Sequence, residues 1–171
     1  MNEILVLYIL NKSQTTMYGL SKYINKNYGS ITKPSFGTLQ PLLKKLETKK
    51  YIFTSKFYTE GGKPYFYYSV NPVGVDYLKE KMMKKYSTNP TQFLSSVRIK
   101  LACLDVLDEN DRKKLLQQLK SSLLKLKSET EVSLAENNLS NFTHKLVLDN
   151  SLCEYKNLIS LVEGLENACN S

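Results

Sequence analysis

The spacing of hydrophobic positions changes several times along the chain, and each change marks an element. Asn2 to Asn11 is nearly all apolar, with Ile4, Leu5, Leu7 and Tyr8 inward and Ile9 and Leu10 able to follow. That fits a short, mostly buried helix. The polar run Ser13-Gln14-Thr15-Thr16 makes a turn, and Thr15 or Thr16 can cap a second helix that reaches about Asn27. Met17, Leu20, Tyr23 and Ile24 recur at helical spacing on one face of it, while Tyr18, Ser21 and Lys22 lie off that face. Tyr28-Gly29-Ser30 ends the helix. A third helix runs from about Ser35, its cap, to Lys49, with Leu39, Leu42, Leu43 and Leu46 set against Thr38, Gln40, Lys44 and Lys45. Pro41 has no N–H and crowds an earlier carbonyl, so it belongs in the early turns, with a slight bend.

Then the period shortens. Tyr51 to Tyr58 is rich in β-branched and aromatic residues, Glu60-Gly61-Gly62-Lys63 is a turn, and Pro64 to Val70 is a second strand. Together they predict a β-hairpin with a glycine tip. Asn71, a good N-cap, and Pro72 open a fourth helix with Val75, Leu78 and Met82 on one face. Three short helices, a hairpin and a fourth helix make a winged helix-turn-helix with a two-stranded β wing. In that arrangement the third helix offers small and polar side chains near its N-terminus, where base edges and phosphates are met. The wing brings Lys63 to the flanking backbone.

After Ser87-Thr88-Asn89-Pro90, a joint by composition, the aromatic strand-like runs stop. Thr91 to about Leu107 reads as a helix with Phe93, Leu94, Val97, Leu101 and Leu104 as its stripe. A long helix follows Asp108-Glu109-Asn110-Asp111 and runs to about Asn137, with Leu115, Leu116, Leu119, Leu123, Leu126 and Leu134. Asn137-Asn138 and Ser140-Asn141 break it. A last helix spans about Phe142 to Ala168 with Leu146, Leu152, Tyr155, Leu158, Ile159, Val162 and Leu165. Such a hairpin exposes leucine, which pairing with a second copy would cover; folding back on the N-terminal domain is the alternative. The expected fold is mainly α: a winged helix-turn-helix DNA-binding domain over residues 1–86 and a helical dimerisation domain over 87–171.

Charge says what the first half would bind. The 171 residues carry 24 Lys+Arg against 16 Asp+Glu, a formal net charge of +8. Residues 1–86 hold 14 basic and 5 acidic residues, a balance of +9, and residues 87–171 hold 10 and 11, a balance of −1. The whole excess lies in the winged half, which points to a polyanion, nucleic acid or an anionic membrane. A basic surface with no partner is the bland alternative. No basic amphipathic helix of the interfacial type stands out, which leaves double-stranded DNA and no membrane. The longest apolar run, Ile4 to Leu10, is far short of the ~20 residues that span a bilayer, and it lacks the flanks of a signal peptide. Cys103, Cys153 and Cys169 cannot all pair within one chain, so a reducing, cytoplasmic setting is expected. They read as buried or inert thiols, since no basic cluster surrounds any of them in sequence, with oxidant sensing as the alternative. There is one histidine, His144, and no zinc-type spacing, P-loop, G-x-G-x-x-G, G-x-S-x-G or H-E-x-x-H. No metal, no cofactor and no enzyme activity are expected.

Three blocks then resemble the PadR family of bacterial transcriptional regulators. They are Tyr18-Gly-Leu-Ser-Lys-Tyr-Ile24, Lys33-Pro-Ser-Phe-Gly-Thr-Leu-Gln-Pro-Leu-Leu-Lys-Lys-Leu-Glu47 and Gly61-Gly-Lys-Pro-Tyr-Phe-Tyr-Tyr-Ser-Val-Asn-Pro-Val-Gly74. The stretch from Phe93 to Asp108 and the chain length look like the longer subfamily, whose C-terminal helices dimerise. Departures are Thr16-Met17 where His-Gly is common, Gln40 in place of Tyr, and Asn71 in place of Thr. The resemblance implies a homodimeric repressor of a palindromic promoter site, released by a small molecule or stress signal. It implies DNA-contact positions at Tyr18, Ser35, Gly37, Thr38, Lys44 and Lys63. Tyr18, Ser35 and Thr38 can donate to phosphate, Gly37 allows close backbone approach, and Lys22, Lys44 and Lys45 supply charge. Gln40 can pair bidentately with adenine, or stand solvated near a phosphate. A protein-interaction module on the same scaffold, without an operator, is the competing function.

Overall fold

Helix α1 (Asn2–Lys12) is the hub of the first half of the molecule: every residue from Ile4 to Leu10 is buried in the computed structural model, Val6 included. A helix apolar all round must be packed all round, and α1 meets α4, α5 and the third strand. The structure describes residues 2–84, 89–136 and 142–169. The expected joint at Ser87-Thr88 and the break at Asn137-Asn138 and Ser140-Asn141 lie outside those residues.

Strand β1 (Thr15–Thr16) comes next, then α2 (Met17–Tyr28), α3 (Phe36–Thr48), β2 (Ile52–Tyr58), β3 (Pro64–Val70) and α4 (Pro72–Met83). The wing is three-stranded and antiparallel, in the order β1-β3-β2, with Ile52 opposite Val70, Tyr58 opposite Pro64, and Thr15 opposite Tyr68. The polar run expected as a turn therefore gives two residues to the sheet. Thr16 still caps α2, its hydroxyl accepting from the Gly19 amide at 3.0 Å. Leu20 and Ile24 are buried as the spacing required, but Tyr23 is exposed against Tyr28 and Ser21 is buried instead. An isolated hairpin is marginal in water. Here Phe57, Tyr65 and Tyr67 brace one face of it, with ring centroids 5.6 to 5.8 Å apart.

Where α3 ends, the chain turns through Lys50 at a φ of 58°. Asn71 stands at the other end of the wing and holds this turn. Its Nδ2 donates to the Lys50 carbonyl at 2.7 Å, and its Oδ1 caps α4 by accepting from the Gly74 amide at 2.8 Å. The Asn71 amide donates to the Tyr51 carbonyl at 3.1 Å. Gly74 fits only because it has no side chain: a Cβ there would lie 2.0 Å from the Tyr51 oxygen.

Packing divides the chain into two compact units, residues 1–106 and 107–171. The expected boundary at 86/87 falls earlier. Helix α5 (Pro90–Ala102) and a 3-10 turn (Leu104–Val106) join the first unit. Phe93, Val97 and Ile99 are buried, and the Lys100 Nζ donates to the Lys84 carbonyl at 2.8 Å. Lys100 occupies a position of the apolar stripe and is itself buried, which lowers its pKa to about 8. Lys12 pairs with Asp105, and the Cys103 thiol beside it is pushed up to about 12 by burial and then by Asp105.

The second unit is the hairpin of α6 (Glu109–Glu136) and α7 (Phe142–Cys169). Asp108 caps α6 by accepting from the Asp111 amide at 2.9 Å. Leu115, Leu116, Leu119 and Leu123 are buried, as are Leu152, Tyr155, Leu158, Ile159 and Val162. Lys120 bridges to Glu163 at 3.0 Å and Glu166 at 3.2 Å. Leu146, expected inward, is 51% exposed.

Asn71→Ala removes a cap and leaves the Lys50 carbonyl short of a donor, at a cost of about 2 kcal/mol in urea unfolding. Asn71→Asp keeps the capping oxygen but sets a buried carboxylate oxygen against the Lys50 carbonyl, and loses at least as much.

Candidate nucleic-acid interface

Helix α3 buries Leu39, Leu43 and Leu46 and leaves Leu42 half-buried. That choice of inner face turns Gly37, Gln40 and Lys44 outward, within one arc of the helix. Ser35 is the N-cap residue, yet its hydroxyl makes no cap bond and meets the Thr38 hydroxyl at 3.2 Å. A helix start without a side-chain cap offers its amides, and the positive end of its dipole, to an anion. Gly37 is open: a methyl group there would meet nothing nearer than the Ser35 Oγ at 3.6 Å. The chain's own packing therefore does not require glycine at this position.

Tyr18 and Lys22 stand one turn apart on α2, both exposed, with Tyr18 67% so. Helix α2 packs on α3, so the two groups belong to adjoining elements. Lys63 stands on the wing turn, where the Thr59 amide bonds to the Lys63 carbonyl at 3.0 Å and Gly62 takes a φ of 73°. Its own amide donates to the Thr59 hydroxyl at 3.1 Å, which fixes the backbone and leaves the side chain in solvent.

All nine expected contact residues, Tyr18, Lys22, Ser35, Gly37, Thr38, Gln40, Lys44, Lys45 and Lys63, are exposed. Lys45 differs from Lys44 in what it does. It lies about 100° further round α3, and its Nζ is 3.1 Å from Glu3 of α1, while Lys81 of α4 takes the other Glu3 oxygen at 3.2 Å. Burial would raise the Glu3 pKa, but the two lysines hold it below its ordinary value. Lys81 also lies over the Tyr77 ring, which stacks on Tyr51 at 4.0 Å. Half of the Lys44-Lys45 pair is thus tied to the core of the domain.

Several residues escaped the sequence reading. Glu3 gives no local sign of its role, because its partners lie 42 and 78 positions away. Phe36 continues the spacing of Leu39, Leu43 and Leu46, yet it is 46% exposed at the first position of α3. Among the described residues no group of three His, Cys, Asp or Glu is placed to hold a metal ion, and no helix is long and apolar enough to cross a membrane.

Residues 6–80 match the family model described as the transcriptional regulator PadR-like family. A comparison with curated proteins found no match. Among solved structures the chain is similar to Bacillus subtilis PadR in complex with operator DNA, at 18% identity and a TM-score of 0.48 over 98% of this chain and 97% of that one. It is similar to the same protein in complex with p-coumaric acid, at 18% identity and a TM-score of 0.43 over 99% and 98%. A transcriptional regulator from Clostridium thermocellum is 26% identical, with a TM-score of 0.43 over 46% of this chain and 76% of that one.

The two adjacent lysines separate experimentally. Lys44→Gln leaves the melting temperature unchanged and makes the salt dependence of DNA binding shallower by about 0.9 in log–log slope. Lys45→Gln lowers stability by about 1 kcal/mol, discounted for the exposure of Lys45. Glu3 has a depressed folded pKa, so its contribution is present above the unfolded carboxylate range and is lost as pH falls through the folded value. The Lys45→Gln deficit therefore fades in acid, as read by thermal melting across pH.

Proposed function

We propose that the chain is a sequence-specific DNA-binding regulator of the PadR-like family, whose model matches residues 6–80. The finer reading is a homodimeric repressor of a palindromic promoter site, released by a small-molecule or stress signal. It carries no enzyme activity and acts in the cytoplasm. Residues 1–86 serve as the DNA-binding module and the helices after residue 87 serve dimerisation.

One observation carries the DNA reading. The outward arc of α3 presents Gly37, Gln40 and Lys44 beside an uncapped helix start, on a half of the chain with a balance of +9. Helix starts donate to phosphate, and a bare glycine lets the duplex come close. Tyr18 and Lys22 on α2, and Lys63 on the wing, supply further donors and charge, consistent with contacts to the flanking backbone. Lys45 is a secondary contact in this reading because of Glu3.

Dimerisation draws support from the second unit. Leu124, Val132, Phe142, Leu146, Val147 and Leu161 are between 45% and 71% exposed on α6 and α7. Symmetric DNA readers pair two half-sites through such surfaces. A second reading, a protein-interaction module, draws on the exposed aromatic residues of the wing, Phe53, Phe57, Tyr58 and Phe66.

Fluorescence anisotropy with the DNA upstream of the protein's own coding sequence, against an unrelated duplex of equal length, decides between them. The DNA reading expects sequence preference and a log K that falls by about 0.9 per phosphate neutralised against log salt. Gly37→Ala keeps the melting temperature and weakens binding about tenfold or more, since a displaced hydrogen bond to a charged group is worth about 1.5–3 kcal/mol. Equal binding to both duplexes sinks the operator reading. Light scattering should give about twice the 19.6 kDa chain mass.

A further inference from the structure

Phe36 is the first residue of α3 and is 46% exposed. Among the described residues no other ring or cation stacks on it. A lone exposed phenylalanine is ordinary on a protein surface. What distinguishes this one is its setting. Gln40 lies four residues on and one turn along the same side, so the two Cβ atoms are about 6 Å apart. Gly37 raises no side chain between them, and Lys33 and Lys44 are exposed on either side in sequence. An apolar ring thus stands one turn from Gln40 at the start of the helix expected to enter the major groove. In that groove the apolar feature of the base edges is the C5-methyl group of thymine, while adenine shows the N7 acceptor and N6 donor that a glutamine matches.

We infer that Phe36 is a specificity-determining residue that packs on the C5-methyl of a thymine, with Gln40 pairing to an adenine within two base steps. The separation of about 6 Å between the two side chains is close to two steps of about 3.4 Å along a strand. Each half-site then carries a thymine that is read by its methyl group alone. The inference rests on the DNA-binding reading above and goes further by naming the base atom recognised.

The test uses the full-length protein. A preferred duplex is selected from a randomised pool and resynthesised with each dT replaced in turn by dU, which removes only the methyl group. Dissociation constants are measured for the wild type, Phe36→Ala and Phe36→Leu. The wild type loses about three- to tenfold at one position in each half-site, the size of a single base contact. Phe36→Ala loses a similar factor on the thymine duplex and is indifferent to dU at that position. Phe36→Leu keeps part of the discrimination, and unchanged melting temperatures exclude a folding effect. If dU is tolerated everywhere, or if the losses from dU and from Phe36→Ala multiply independently, the inference is overturned while DNA recognition stands. If the pool yields no preferred duplex, both fall together.

Discussion

The junction around Asn71 is the constraint on which the first unit depends. Four parts of the fold meet at this residue: its side chain holds the left-handed turn at Lys50 and the first turn of α4, and its backbone amide ties the end of the wing after Val70 to its start at Tyr51. A winged domain has to hold its third helix and its hairpin at a fixed mutual angle, because both must meet one ligand. Nothing covalent enforces that angle. Here a single buried amide uses its donor and its acceptor on the two sides of the joint, and Gly74 lets the Tyr51 carbonyl approach to within van der Waals reach. A buried polar group is costly unless satisfied and stiffening when it is. Threonine, common at this position in the family, has one hydroxyl where asparagine has both a carbonyl and an amino group.

The same economy governs charge. An excess of +9 on residues 1–86 repels itself, and part of it is offset by ion pairs within the unit. Glu3 gathers Lys45 and Lys81 at 3.1 and 3.2 Å, and Lys81 leans on the Tyr77 ring that stacks on Tyr51. One carboxylate on the central helix therefore ties α3, α4 and the start of the wing together. Lys22, Lys44 and Lys63 stay in solvent, where a cation serves a polyanion best. The charge total alone would have credited Lys45 to the ligand.

Elements bounded by strong local signals were legible in the sequence. The caps at Thr16 and Asn71, the stripe of α3 and the glycine tip of the wing all depend on neighbours within a few residues. Long-range pairing was not legible. Thr15 and Thr16 read as a turn because strand β1 exists only through its register with Tyr67 and Tyr68, more than fifty residues on. The burial of Lys100 likewise depends on a distant partner, the Lys84 carbonyl at the end of α4, which the sequence does not reveal. That α5 packs with the first unit was not legible either, since composition alone changes at the joint before it. Within the candidate interface, the exposure of the residues on α2 and α3 follows from helix phase, whereas the diversion of Lys45 depends on Glu3, 42 positions away.

The second unit has a different shortage. Two helices share one interface, and their buried residues gather in a single stretch, Leu115 to Leu123 on α6 against Leu152 to Val162 on α7. Beyond that stretch the stripe continues, but its neighbours run out: Leu126 and Leu134 are only half-buried, and Phe142, Leu146 and Val147 face solvent. A third helix is the usual remedy, since a two-layer element needs something on its other side. The exposed side of α7 near Leu146, Cys153, Asn157, Ser160 and Gly164 has no charged residue at those positions, and a Cβ at Gly164 would meet nothing within 4 Å. An uncharged, small-residue side on an otherwise solvated helix is poor design for water and good design for close approach by another helix. The shortage of the second unit is thus one of apolar neighbours for its helix ends, not of apolar residues.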